Sequence, residues 1–184
     1  MPKSIHTAPQ NDAARAKRAP PQVKLRLDDV DLLILSALQE DAHLSNADIG
    51  RHVGMVPSGV FERIRKLEKA KVITGYEARL DANALNFPLA AFVFVKAAGR
   101  SGHPARTAAQ LARIPEVQEV HTVAGEDCYL LKVRAQDTKH LGRLLRDKIT
   151  TIKFVVSTRT IIVLETIKET SAIPLGHSPK ISRT

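Results

Sequence analysis

The chain has 184 residues, 43% of them apolar, and 28 basic residues against 19 acidic ones give a formal net charge of +9. That length holds one medium domain or two small ones; no run approaches the roughly 18 apolar residues of a membrane span, and the first residues lack the apolar stretch of a secretory signal. The single cysteine, Cys128, excludes an internal disulfide framework and fits a reducing cytoplasm.

The charge is unevenly spread. Residues 1–26 carry net +5, residues 27–77 net −3, residues 78–168 net +6 and residues 169–184 net +1. Positive charge predicts attraction to a polyanion without saying which. Residues 1–26 mix Ala, Pro, Gln, Lys and Arg without apolar periodicity and read as a disordered basic arm, either a solvated tail or a non-specific phosphate-binding segment.

From Leu27 the pattern becomes helical. Val30, Leu33, Ile34, Ala37 and Leu38 recur at helical spacing, and Asp28, Asp29 and Asp31 crowd the start, where the helix dipole favours carboxylates. This predicts a first helix ending near Asp41. Ser45, three residues before Asp48, opens a shorter second helix through His52, and Gly54 marks a turn. A third helix spans residues 57–70, with Pro57 suited to a first helical position and Val60, Phe61, Ile64 and Leu67 on its apolar face. Val72, Ile73 and Tyr76 around Gly75 predict a short strand pair, a wing.

Three short helices with a glycine turn before the third describe a helix-turn-helix. The third carries Arg63, Arg65, Lys66 and Lys69 off its apolar face, while Ser58, Gly59, Glu62, Arg63 and Lys66 recur at three- and four-residue intervals. Such a face reaches phosphates and base edges when its helix lies in the major groove of double-stranded DNA. The DNA-binding residues are therefore expected to be Ser58, Gly59, Glu62, Arg63, Arg65 and Lys66, with Ser45 and Asn46 from the second helix. Arg63 and Lys66 are the leading expectations for base or phosphate contact.

Residues 78–88 read as a linker. Residues 89–97 form an apolar strand, residues 104–114 a helix, and residues 117–123 and 129–133 two strands joined at Ala124–Asp127. Leu141, Leu144, Leu145 and Ile149 predict a second helix, and residues 155–167 a last β-rich run. The order βαββαβ over residues 89–168 is the ferredoxin-like pattern, with both helices on one sheet face and the other face left open to a partner sheet. With the preceding domain, the fold class is α+β. Residues 169–184 read as a flexible tail.

These residues together resemble the leucine-responsive regulator/AsnC family, also called feast/famine regulators, from about Leu27 to Lys168. Leu27-Asp28-x-x-Asp31-x-x-Ile34-Leu35 resembles the opening helix, and Leu44-Ser45-Asn46 through Ile49, Val53 and Gly54 the second helix and turn. Residues 62–68 resemble the recognition helix, and Ile73-x-Gly75-Tyr76 the wing. Val123-x-Gly125 with residues 129–132 resembles an effector-loop hairpin, and Ser157-x-Arg159-Thr160 the final strand.

The resemblance implies a winged helix-turn-helix joined to an effector-binding, dimerising domain, in a homodimer that assembles to a tetramer or octamer and regulates amino-acid-related metabolism. Carried over by position, Thr122, Ala124, Gly125, Glu126, Asp127, Cys128 and Tyr129 would line the site of a small-molecule effector, an amino acid by analogy, with Thr138 and Ile162 nearby. Cys128 stands where the family commonly has an Asp suited to an ammonium group, so Asp127 or Glu126 would have to supply that charge. Val56 replaces the family's hydroxyl cap before the recognition helix, and Lys153-Phe154 replaces its usual Pro-Gly turn.

Other readings are sirohaem decarboxylase, whose fold is similar, and an effector-independent nucleoid protein. A nucleophilic pair of Cys128 and His121 across the hairpin lacks an orienting third residue. The seven histidines show no metal-ligand spacing, and no phosphate-cradling loop calls for a cofactor. The chain is expected not to be an enzyme.

Overall fold

The computed structural model describes residues 26–98 and 104–176. Most of the basic arm, and the tail beyond residue 176, lie outside the described residues. The chain divides into two compact units: residues 26–76 joined by 172–176, and residues 77–171.

The first unit contains α1 (Asp29–Glu40), α2 (Asn46–Val53) and α3 (Pro57–Lys69). Each start has a local cause. Asp28 caps α1 and accepts the Asp31 N–H, while Asp31 accepts the Asp28 N–H, a reciprocal capping box. Ser45 caps α2 by accepting the Asp48 N–H at 3.1 Å. Gly54 ends α2 at φ +70°, a left-handed conformation that glycine adopts without a Cβ penalty. Gly50 is required for a different reason: a Cβ there would lie 2.5 Å from the Met55 carbonyl oxygen, so the turn could not close onto α2.

Ile34, Leu35, Ala37, Ile49, Val60 and Leu67 form the core of this unit. Truncating a fully buried member such as Leu67 to alanine would cost about 2–5 kcal/mol. The predicted wing does not form a strand ladder. The Val72 and Ile73 amides instead donate back to the Leu67 carbonyl at 2.9 and 3.3 Å, finishing α3 and leaving those groups unavailable for pairing. Residues 71–76 are an irregular extension in which Tyr76 Oη donates to Glu68 at 3.0 Å.

In the second unit β1 (Leu89–Ala97), α4 (Pro104–Leu111), β2 (Val117–Thr122), β3 (Tyr129–Ala135), α5 (Thr138–Arg143) and β4 (Val155–Ile162) follow in βαββαβ order. Helix α5 continues as π-helical turns over Leu144–Ile149. The sheet order is β2-β3-β1-β4, and every neighbouring pair is antiparallel. Alternation puts Val93, Val95, Leu131 and Val133 into a core with Leu111, Leu141, Leu144 and Ile149. The register sets Phe92, Phe94, Leu130 and Ile161 on the other, open face, together with Lys132, Arg134 and Arg159.

Residues 169–176 differ from the flexible tail expected. Glu169 pairs with Lys132 and, at 3.0 Å, with Arg134 in the second unit. The Ile173 amide donates to Gln39 Oε1 at 2.6 Å in the first, where Leu175 packs against the core.

Candidate DNA interface and effector loop

Helix α3 begins at Pro57, with Val56 at the cap position making no side-chain bond. The Val56 carbonyl accepts the Gly59 and Val60 amides at 3.0 and 3.2 Å, so the backbone alone closes the first turn. Val60 and Leu67 are buried beneath the helix. The opposite side exposes Ser58, Glu62, Arg65, Lys66 and Lys69, and Gly59 is half-buried beside them. Residues 58, 62, 65 and 69 follow a four-three-four spacing, a row along one helix face that Lys66, next to Arg65, widens. Arg65, Lys66 and Lys69 enter no ion pair among the described residues. Lys69 belongs to this row although it is absent from the residues expected to bind DNA; its spacing from Glu62 and Arg65 is the signal that places it there.

Arg63 is placed otherwise than expected. Its guanidinium turns towards the start of α1, where Nη1 donates to Asp28 Oδ1 and Oδ2 at 2.9 and 2.7 Å and to Asp31 Oδ1 at 2.7 Å. Asp28, and then Asp31, raise the Arg63 pKa, and the Arg63 hydrogen bond with that of the Asp31 amide holds the Asp28 carboxyl below its ordinary value. In α2, the Ser45 hydroxyl is spent on the cap and on Asp48 Oδ2 at 2.5 Å, while Asn46 is half-buried.

The second expected site is the β2–β3 hairpin. Thr122 pairs with Tyr129, and the Val123 amide donates to the Cys128 carbonyl at 3.1 Å, closing the loop. Gly125 sits at φ +138°, where a side chain would be strained. Cys128 is fixed twice to β1: its amide donates to the Val95 carbonyl at 2.9 Å, and its Sγ lies 3.7 Å from the Ala97 carbonyl. Tyr129 is buried, which raises its phenol pKa. Asp127 is engaged by Arg159 at 3.1 Å, whereas Ala124 and Glu126 are exposed and the Glu126 carboxylate has no ion pair among the described residues.

Thr138 and Ile162 are not brought to this loop within one chain. Ile162 pairs with Ala91, which pairs on its other side with Val133, whereas the loop joins the sheet at Tyr129 beside Val95. Thr138 follows the far end of β3. At 3.3–3.4 Å per residue, Ile162 stands about 13 Å along the strands from the loop, level with Val133, and Thr138 lies past the far end of β3, about 20 Å or more away. His121 and Cys128 are each engaged elsewhere: His121 Nε2 lies 3.0 Å from Glu119, whose pKa it lowers, and Cys128 Sγ faces the Ala97 carbonyl.

The helix-turn-helix unit with an outward basic row, followed by a βαββαβ unit, defines a DNA-binding regulator with a sensory domain. Residues 27–74 match a winged helix-turn-helix DNA-binding domain, and residues 90–173 match the Lrp/AsnC ligand binding domain. The chain is 35% identical to the HTH-type transcriptional regulator FL11 of Pyrococcus horikoshii, over 83% of this chain and 99% of that protein. It is 36% identical to the leucine-responsive regulatory protein of Escherichia coli K12, over 80% and 90%. Among solved structures it resembles a transcriptional regulator of Neisseria meningitidis in complex with L-methionine (TM-score 0.78, 30% identity, 83% of this chain and 99% of that one). It also resembles a feast or famine regulatory protein of M. tuberculosis complexed with L-methionine (TM-score 0.75, 33% identity, 80% and 99%). The chain belongs to the Lrp/AsnC family of transcription regulators.

Proposed function

We propose that this regulator reads specific DNA sequences in the cytoplasm, as a dimer or higher oligomer, through the exposed row Ser58, Glu62, Arg65, Lys66 and Lys69, and that it controls amino-acid-related metabolism without enzymatic activity. The observation that carries the reading is the row itself: exposed side chains on the helix that follows the turn, three of them cations with no ion-pair partner among the described residues. Cations so presented gain by displacing counterions from phosphates, and the neighbouring polar groups can address base edges. Ser45 and Asn46 at the start of α2 would approach the same backbone. The open sheet face, with Phe92, Phe94, Leu130 and Ile161, supports pairing of copies through the second unit.

The hairpin over residues 122–129 is the proposed effector loop. Its support is the L-methionine bound by the Neisseria and M. tuberculosis relatives. In this chain Glu126 is the carboxylate open to an ammonium group, since Asp127 is held by Arg159. Thr138 and Ile162 would join such a site only from another copy.

Two measurements test the reading. Selecting fragments of the source genome with the purified chain should enrich a few sites beside genes of amino-acid metabolism; uniform recovery would contradict sequence specificity. A thermal-shift panel of the twenty amino acids should give one or more ligands that stabilise by about 2.7 kcal/mol at a hundred times their Kd. No shift with any of them would contradict the effector assignment and leave the DNA reading intact.

A further inference from the structure

We infer that Arg63 is a positioning residue that locks α3 to the start of α1 and makes no contact with DNA. The inference rests on α3 being the DNA-reading helix. One nitrogen, Nη1, lies 2.7–2.9 Å from three carboxylate oxygens, two on Asp28 and one on Asp31, so its two N–H groups serve both carboxylates, one of them shared. Asp31 is 2% exposed, so its charge is withdrawn from water, and Arg63 is the cation paired with it there. The same carboxylates form the capping box of α1. Two jobs thus fall on one cluster: closing the first turn of α1 and fixing the rotation of α3 about its axis.

The electrostatics oppose a phosphate contact. Two carboxylates against one guanidinium leave the cluster with net charge −1, so a phosphate approaching Arg63 would meet repulsion rather than a free cation. Lys66, one turn away on the exposed row, has no such neighbour among the described residues. Because Ser58, Glu62, Lys66 and Lys69 ride on the same rigid helix, a change in its rotation displaces all of them at once. Arg63 therefore acts on DNA binding through the others.

The experiment compares the salt dependence of binding to a random-sequence duplex by the full chain and by Arg63→Gln, Arg63→Lys, Lys66→Gln and the pair Asp31→Asn/Arg63→Gln, with folding checked by circular dichroism. Removing one phosphate contact lowers the slope of log K against log salt by roughly one unit. The expected result is that Lys66→Gln reduces the slope by about one unit, while the Arg63 variants keep the slope of the unmodified chain. Arg63→Gln should bind about tenfold more weakly, and adding Asp31→Asn should recover most of that affinity, because a neutral amide pair no longer buries a bare carboxylate. Arg63→Lys should lie between. If Arg63→Gln alone fails to fold, the double variant decides by its slope. A slope lowered by about one unit in the double variant, with no recovery of affinity, would overturn the inference. Failure of the unmodified chain to bind in a salt-dependent way would overturn it together with the DNA reading, and is recognised by the absence of any slope.

Discussion

Arg159 Nη2 lies 3.1 Å from Asp127 Oδ2, and the same guanidinium sits 4.1 Å from the centre of the Phe94 ring. One side chain thus ties the hairpin loop to the open face of the sheet. Arg159 is 60% exposed, so its ion pair contributes at most about 1 kcal/mol, and its cation–π contact about 0.5–1 kcal/mol. Arg159→Ala should therefore lower the melting temperature by only about 2–6 °C in a domain pair of this size. Hydrogen exchange should accelerate specifically at the amides of residues 124–127. Unchanged exchange there would mean that the pair does not hold the loop.

Lys71 follows α3 at φ +59°, a region that costs a residue with a Cβ, while its amide donates to the Glu68 carbonyl at 2.9 Å. Lys71→Gly keeps the backbone bond and removes the strain. The flexible unfolded chain offsets part of that gain, leaving about 0.5–1 kcal/mol of added stability. A higher urea midpoint with an unchanged slope is the expected outcome; a lower midpoint would contradict the strain.

Stability should fall in acid, and Asp28 should contribute to the fall. The Arg63 hydrogen bond, supported by the Asp31 amide, depresses its folded pKa below the ordinary 3.8. A depressed carboxyl stabilises the fold above its unfolded pKa and loses that contribution as pH drops through the folded value. The urea midpoint should be insensitive to Asp28 ionisation near neutrality and decline below about pH 4. Asp28→Asn should show a shallower acid decline than the unmodified chain, from a lower starting midpoint. An identical acid profile in the two proteins would contradict the assignment.

Glu169 pairs with both Lys132 and Arg134, each 18% exposed on the open sheet face, and its hydrogen bond with that of Glu119 raises the Lys132 pKa. Its carbonyl also accepts from Arg79 Nη2 at 3.1 Å. Glu169→Gln should weaken this anchorage, so that limited proteolysis cuts the variant earlier between residues 163 and 171. High salt should bring the unmodified chain towards the same behaviour, since screening acts on the same pairs. Equal cleavage at all salt concentrations would count against the anchorage.

How much of the molecule is legible in the sequence depends on the range of the interactions involved. Asp28 and Ser45 announce the helix starts because a cap is satisfied within three residues. The βαββαβ order is legible because alternation and helical spacing are local patterns, and with antiparallel pairing they leave few ways to build the sheet. The wing is not: Val72 and Ile73 look like strand residues, but their amides complete α3 at Leu67. Arg63 shares its spacing with Lys66, and nothing nearby in the chain reveals that its partners stand 32 and 35 positions away. The ordered segment at Glu169 is hidden for the same reason, its partners being on β3. Thr138 and Ile162 enter through the family resemblance alone, and the sheet register puts them at the end away from the hairpin.

The most direct test of the central claim is the affinity of the full chain for a duplex selected from the source genome, measured against salt for the unmodified protein and for Lys66→Gln/Lys69→Gln. If the outer row of α3 meets the DNA backbone, the slope of log K against log salt should fall by roughly two units. Thermal stability should stay nearly unchanged, because neither side chain has an internal ion-pair partner among the described residues. An unchanged slope with full affinity would contradict the placement of DNA on this face of α3.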